Sequence, residues 1–187
     1  LIMNNKRILI TGASGFIGNA LVAQLSATHP VRALAMSRRR PNLLGDTAFV
    51  QGDFHKPDDL HQLDAYDIDM LIHLGAVTES YENEVMEVNV EGPWHLMRYL
   101  ISRGCKKYIM ASSIAAVGIE SPTFEPLTAP IPDDHPCLDK CGYGFSKFLM
   151  EQVTCYFHRQ NPEIDVMNLR LATIRPDDDK HQLTQLT

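Results

Sequence analysis

Arg7-Ile8-Leu9-Ile10-Thr11-Gly12-Ala13-Ser14-Gly15-Phe16-Ile17-Gly18, running on into Asn19-Ala20-Leu21-Val22-Ala23-Gln24-Leu25, is the stretch that decides the fold. A short apolar run, three spaced glycines and then a run of helix formers read as buried strand, tight turn and helix. A chain that leaves a strand and enters a helix within a few residues needs positive φ or close backbone approach at the turn, and glycine supplies both. The helix start then offers free N–H groups and a positive dipole end to an anion, most naturally a pyrophosphate. The spacing is G-x-x-G-x-x-G at Gly12, Gly15 and Gly18, whereas the standard dinucleotide turn is G-x-G-x-x-G. A glycine turn with no ligand is the competing reading.

The whole chain has 187 residues, enough for one domain that hides about 70% of its unfolded surface without a staple. Hydrophobic residues at 44% and charged ones at 21% suit a globular domain. The net charge of −6, from 17 basic and 23 acidic side chains, argues against a nucleic-acid binder or a partner for anionic membranes and favours small-molecule work. No run approaches the ~18 apolar residues of a membrane span, and the amino terminus enters a strand with no signal-type segment, so a cytoplasmic location is expected. Leu1-Ile2 read as residues preceding the natural start at Met3. Cys105, Cys137, Cys141 and Cys155 are expected to be reduced thiols. Cys137-x-x-x-Cys141 has no second pair to complete four ligands, so no metal site is expected.

Farther along, 31–36 reads as a second strand, closed by Ser37-Arg38-Arg39-Arg40-Pro41-Asn42. In a βαβ dinucleotide unit the end of that strand carries an acid for the adenosine 2′-hydroxyl. Ser37 stands there, followed by arginines, and an arginine pairs with a 2′-phosphate that a carboxylate would repel. NADP is therefore favoured, with NAD possible; the alternative is a solvated arginine cluster. Residues 48–54 read as a third strand ending in an acid. Asp53 could then accept from the adenine amino group with Phe54 beside the ring, or be a simple loop acid.

Pro57-Asp58-Asp59-Leu60 has the form of a helix start. Residues 68–76 form an almost unbroken apolar run, as a central strand covered on both faces must. Gly75 and Ala76 at its end let a ligand approach the backbone, and His73 reads as a satisfied core histidine. Helical periodicity over 82–103 is interrupted at Gly92-Pro93, which predicts a kink just after Asn89. Residues 107–113 form a fifth strand with Ser112 and Ser113 at its carboxyl end, where ligands sit in open parallel sheets. Any polar strand end would look the same.

Five prolines between Gly118 and Gly142 predict a long lid or binding loop. An amphipathic helix over 143–159 places Tyr143 and Lys147 on one face, one turn apart. A sixth strand over 164–171 and a polar loop over 173–179 complete the pattern. Strands alternating with helices predict an α/β fold, a doubly wound parallel sheet with helices on both faces.

Taken together, Thr11-Gly12-x-x-Gly15-x-x-Gly18, Asp53, His73-Leu74-Gly75-Ala76, Asn89-Val90-x-Gly92, Ser112-Ser113 and Tyr143-x-x-x-Lys147 resemble the short-chain dehydrogenases/reductases in order and type. Leu169-Arg170 followed by Arg175-Pro176 is similar to the extended, NAD-dependent epimerase/dehydratase branch. The resemblance implies a Rossmann fold in which Gly12, Gly15, Phe16 and Ile17, with Ser14 in the same turn, surround the pyrophosphate. It sets Ser37 and Arg38 at the adenosine 2′ position and Asp53 and Phe54 at adenine. Leu74, Gly75 and Ala76 then line the ribose and nicotinamide path, and Asn89 supports the cofactor region.

By the same resemblance, Ser113 holds the substrate oxygen, Tyr143 is the acid/base and Lys147 holds the nicotinamide ribose. Ser113 is preferred to Ser112 because it stands five residues before Gly118. A tyrosine with its usual pKa of about 10 is a poor base at neutral pH, and a nearby ammonium favours the phenolate. The family implies an NAD(P)-dependent oxidoreductase or epimerase/dehydratase acting on a secondary alcohol or carbonyl of a small sugar-like substrate. It also implies a homodimer paired through the long helices. A non-catalytic NAD(P)-binding sensor or assembly module is the alternative.

Three features depart from the family pattern: Val117 where a tyrosine is common, Ser37-Arg38 in place of an acid, and little chain after the sixth strand. The expected division is a dinucleotide-binding domain over 3–180 and the start of a carboxyl-terminal substrate portion, largely absent, over 181–187.

Overall fold

The computed structural model describes residues 7–28, 32–41, 47–79 and 81–174. Six parallel strands, β1 (Arg7–Thr11), β2 (Arg32–Ser37), β3 (Ala48–Gln51), β4 (Met70–His73), β5 (Lys107–Ser113) and β6 (Asp165–Leu171), lie in the order β3-β2-β1-β4-β5-β6. This is the expected doubly wound sheet, and its order reverses between β1 and β4. Parallel register runs Thr11 beside His73 and His73 beside Met110, so the carboxyl ends of the central strands form one edge.

Helix α1 (Phe16–Thr28) packs on β1 and β2. On that face Ile8, Ile10, Ala33, Ala35, Ile72 and Val22 form one core. The opposite face carries the short α2 (Pro57–Leu60), then α3 (Glu82–Met86), α4 (Gly92–Ser102) and α5 (Gly142–Gln160). Leu9, Leu34, Leu71, Tyr108 and Met110 meet Leu96, Leu100, Met150 and Phe157 there in the larger core. Both faces of β1 and β4 are covered, which is why their sequences are nearly all apolar. On β6 Val166 packs on the larger core, whereas Met167 and Leu169 are turned outward and are 55% and 38% exposed.

Several bounds differ from the sequence reading. Helix α1 begins at Phe16, so Phe16 and Ile17 belong to its first turn and not to the preceding loop. Strand β2 extends to Ser37; Val31 and Asn42, like the Arg175-Pro176 pair and most of the 173–179 loop, lie outside the described residues. Strand β3 stops at Gln51, so Gly52, Asp53 and Phe54 leave the sheet, and β4 is confined to Met70–His73. An apolar run measures burial, and the backbone ladder is shorter than the buried stretch.

The interruption near Gly92-Pro93 takes a specific form. Residues Glu87–Glu91 make a π-helical segment between α3 and α4, with the Gly92 N–H bonded to the Glu87 carbonyl five residues back. Pro93 is the second residue of α4, directly after the π segment. The long 118–141 segment contains no helix or strand, as its prolines predict. No helix among the described residues is long and apolar enough to cross a membrane.

Candidate active site

The site is built on the sheet edge where the strand order reverses. Gly12 adopts φ +70°, and a Cβ there would stand 2.6 Å from the Gly75 nitrogen, so glycine is required both by conformation and by space. This packs the β1 turn directly against the end of β4. Two hollows of about 610 Å³ and 650 Å³ open on either side and share Gly12, Gly15, Leu74 and Ala76 as a common wall.

The first hollow is lined by Ser14, Ser37, Arg38, Asp53, Phe54 and Gly75 in addition to the shared residues. The Ser37 hydroxyl donates to the Arg39 carbonyl at 2.5 Å, which holds the turn after β2. The Arg38 side chain is 72% exposed, with Nε 3.9 Å from Asp53 Oδ2. Asp53 also lies 2.7 Å from Nδ1 of His55, whose Nε2 is 3.5 Å from Glu87. Phe54 is largely buried: its ring meets His73 edge-on at 4.7 Å and fills the space beside Gly75 and Gly92. It forms a wall of the hollow and not a freely exposed stacking face.

Asn89, expected among the cofactor-binding residues, lines neither hollow. It is buried in the π segment, and its amide is fully used within the protein. Oδ1 accepts the Val77 N–H at 2.9 Å, and Nδ2 donates to the Val77 carbonyl at 2.8 Å and to Ser146 Oγ at 3.0 Å. Asn89 thus supports the loop after β4 from beneath, and ties it to α5.

The second hollow brings together Phe16, Ile17, Ser113, Tyr143 and Lys147. Burial raises the Tyr143 phenol above its ordinary pKa, the Ser113 hydroxyl pulls it back, and Glu120 adds to the rise. Ser113 Oγ also accepts from the Ala115 N–H at 3.1 Å. Lys147 is 3% exposed; its Nζ donates to the Ala111 carbonyl at 2.7 Å and lies 5.8 Å from the Tyr143 ring centroid. Burial draws the Lys147 ammonium down to about 8, with Glu151 opposing. The expected lowering of the phenol by Lys147 is therefore not realised in this arrangement: the ammonium faces a carbonyl, and burial of the phenol dominates.

The two serines at the end of β5 point to different partners. Ser113 joins Tyr143, whereas Ser112 Oγ donates to Glu151 at 2.5 Å on the α5 side. His73 is only half satisfied: Nδ1 lies 2.7 Å from Thr11 Oγ1, but Nε2 is buried with no hydrogen-bond partner. Sequence reasoning missed His55 and Glu151. Glu151 had a signal, since Tyr143, Lys147 and Glu151 repeat every four residues on one face of α5; His55 had none beyond proximity to Asp53.

Paired hollows joined across a glycine turn at a helix amino terminus, at the reversal point of a parallel sheet, define a dinucleotide-binding fold of the Rossmann kind. The residues fit such a group: one hollow lies beside Arg38 and Asp53, the other beside Tyr143 and Lys147, and glycines stand between them where a pyrophosphate needs close backbone approach. Residues 8–181 match the NAD dependent epimerase/dehydratase family, and the chain belongs to it. It is 28% identical over 194 residues to UDP-glucose 4-epimerase of Pisum sativum, covering 91% of this chain and 53% of that protein. It is 28% identical over 178 residues to uronate dehydrogenase of Pseudomonas syringae pv. tomato, covering 92% and 61%. Among solved structures, a short-chain dehydrogenase/reductase superfamily protein of Agrobacterium tumefaciens with bound NAD superposes with a TM-score of 0.71. That protein is 28% identical, with 88% of this chain and 48% of that one covered. The chain thus spans about half the length of the relatives it matches.

Proposed function

We propose that the protein catalyses a dinucleotide-dependent redox step on a secondary alcohol or carbonyl of a sugar, carried as a nucleotide sugar, as oxidoreductase or epimerase/dehydratase. The observation that carries this reading is the convergence of Ser113, Tyr143 and Lys147 on the hollow that abuts the glycine turn. A bound nicotinamide supplies hydride acceptance and return. Tyr143 would take the proton from the substrate hydroxyl as the phenolate, or give it to the carbonyl as the phenol. Ser113 hydrogen-bonds the same oxygen and opposes the rise in the phenol's pKa that burial causes. Lys147, buried in the same hollow, would hold the nicotinamide ribose. Relatives named as an epimerase and as a dehydrogenase both support sugar chemistry at this fold.

NADP is the proposed preference, resting on Ser37 and on the exposed Arg38 guanidinium; the solved relative cited above holds NAD. The proposal includes a homodimer paired through the long helices, residues 3–180 as the dinucleotide-binding unit and 181–187 as the start of a carboxyl-terminal portion. The test is Tyr143→Phe in the complete protein. Dinucleotide titrations should be unchanged while turnover falls by about 10²-fold or more; unchanged turnover rejects the assignment, and binding with no turnover in the parent favours a sensor. The same titrations with NAD and NADP, repeated in Arg38→Ala, decide the cofactor, and tighter NAD binding overturns the preference.

A further inference from the structure

Glu151 is a buried carboxylate that the proposed chemistry does not use. It is 6% exposed and lies one turn beyond Lys147 on the inward face of α5. Its oxygens accept from Ser112 Oγ at 2.5 Å, from Arg170 Nε at 2.9 Å and from the Arg170 terminal nitrogen at 2.7 Å. Ser112 of β5 and Arg170 of β6 are register partners, so the carboxylate is held by two adjacent strands. The remaining Arg170 nitrogen donates to the Asp133 carbonyl at 2.9 Å. That carbonyl belongs to the proline-rich segment that also places Glu120, Asp139 and Cys141 beside Tyr143.

Burying the carboxylate of an ion pair whose arginine is only half-buried is a poor way to gain stability, since apolar side chains of similar volume serve as well or better. Its location suggests another use. Around Lys147 stand Tyr143 and Glu151 from its own helix, the Ala111 carbonyl from β5 and His73 from the neighbouring β4, which feels its charge, while Glu79, Glu120 and Asp139 line the same hollow. Of these acids Glu151 is the one whose charge opposes the effect of burial on Lys147, and His73 is buried and neutral.

We infer that Glu151 and Arg170 are positioning residues: Glu151 keeps Lys147 charged inside the protein, while Arg170 fixes that carboxylate and pins the 118–141 loop over the cleft. Ser112, Glu151 and Arg170 then form a brace that joins β5, α5, β6 and the loop around one ammonium. The catalytic consequence rests on the function proposed above; the charge state of Lys147 does not.

The two halves of the ion pair act on Lys147 with opposite sign, which separates this role from a structural one. Removing the carboxylate takes away the negative charge one turn from Lys147, and removing the guanidinium leaves that carboxylate uncompensated. The test is an NMR titration of the chain carrying ¹⁵Nζ-labelled lysine, with the Lys147 signal identified by its loss in Lys147→Arg. In Glu151→Gln the midpoint should fall by about one pH unit, a tenfold change in the ammonium-to-amine ratio. In Arg170→Gln it should rise. Glu151→Asp should recover part of the shift.

Midpoints that stay put, or that move the same way in both variants, overturn the inference. If Glu151→Gln does not fold, Arg170→Gln decides alone: a rise supports the brace, and anything else rejects it. In the complete protein, the alkaline fall in turnover should move to lower pH in Glu151→Gln, and Arg170→Gln should raise KM more than it lowers kcat. A shifted Lys147 signal with an unmoved turnover profile upholds the brace and counts against the assigned chemistry instead.

Discussion

His73 illustrates how one buried side chain couples the site to the stability of the fold. It sits at the end of β4 with Nδ1 against Thr11 Oγ1, Phe54 edge-on to its ring and Nε2 without a partner. Burial first, and the Lys147 charge second, lower its pKa from 6.5 to about 3. Between those values the unfolded chain takes up a proton that the native state refuses, so this contribution is complete above pH 6.5 and lost as pH falls toward 3. The expected loss approaches 1.4 kcal/mol per pH unit. In His73→Gln the fall in urea-unfolding free energy between pH 6 and pH 5 should be smaller by about 1 kcal/mol, and an equal fall in both proteins would show that His73 does not titrate as described. The sequence marked His73 as core because Ile72 and Leu74 flank it. It could not reveal the orphaned nitrogen, which depends on what Thr11, Phe54 and Lys147 bring to the same point from distant parts of the chain.

Among the elements, the π segment is where local sequence was least informative. Gly92-Pro93 announced an interruption, but an extra residue in one helical turn leaves no mark on composition, and the period shifts too little over five residues to read. Its effect is to turn the Asn89 amide under the loop after β4, where it pairs with both polar groups of Val77. Asn89→Ala should cost about 1 to 3 kcal/mol, because two backbone groups lose partners. Dinucleotide binding should weaken in the same variant, since Val77 closes the wall of the first hollow. Titration showing full affinity in a destabilised Asn89→Ala would separate the two roles. Helix α5 was far more legible: four-residue spacing put Tyr143 and Lys147 on one face, and both line the second hollow. The same spacing continues to Glu151, but what that carboxylate does stayed hidden, because its partners Ser112 and Arg170 lie on strands that only tertiary pairing brings together.

For the molecule as a whole, the doubly wound parallel sheet and the placing of the glycine turn followed from alternation, turn chemistry and the handedness of crossovers, whereas the strand order came from the structure. Most of the cleft was legible for the same reason: in a doubly wound sheet every strand end reaches one edge, so residues at strand ends become neighbours whatever their separation in sequence. Arg38, Asp53 and Phe54 were placed by that rule. Their interactions were not, since the pairing of Arg38 with Asp53 and the burial of Phe54 behind Gly75 depend on side-chain packing. The contact between Gly12 and Gly75 carries the farthest-reaching consequence. A single methyl group at Gly12 would act as a wedge in the wall the two chambers share, prising it apart where a ligand must span both at once. Gly12→Ala is therefore expected to bind a mononucleotide such as AMP nearly as the parent does and to lose intact dinucleotide by tenfold or more, about 1.4 kcal/mol; calorimetry with both ligands, giving equal losses, would mean that the junction is no bottleneck.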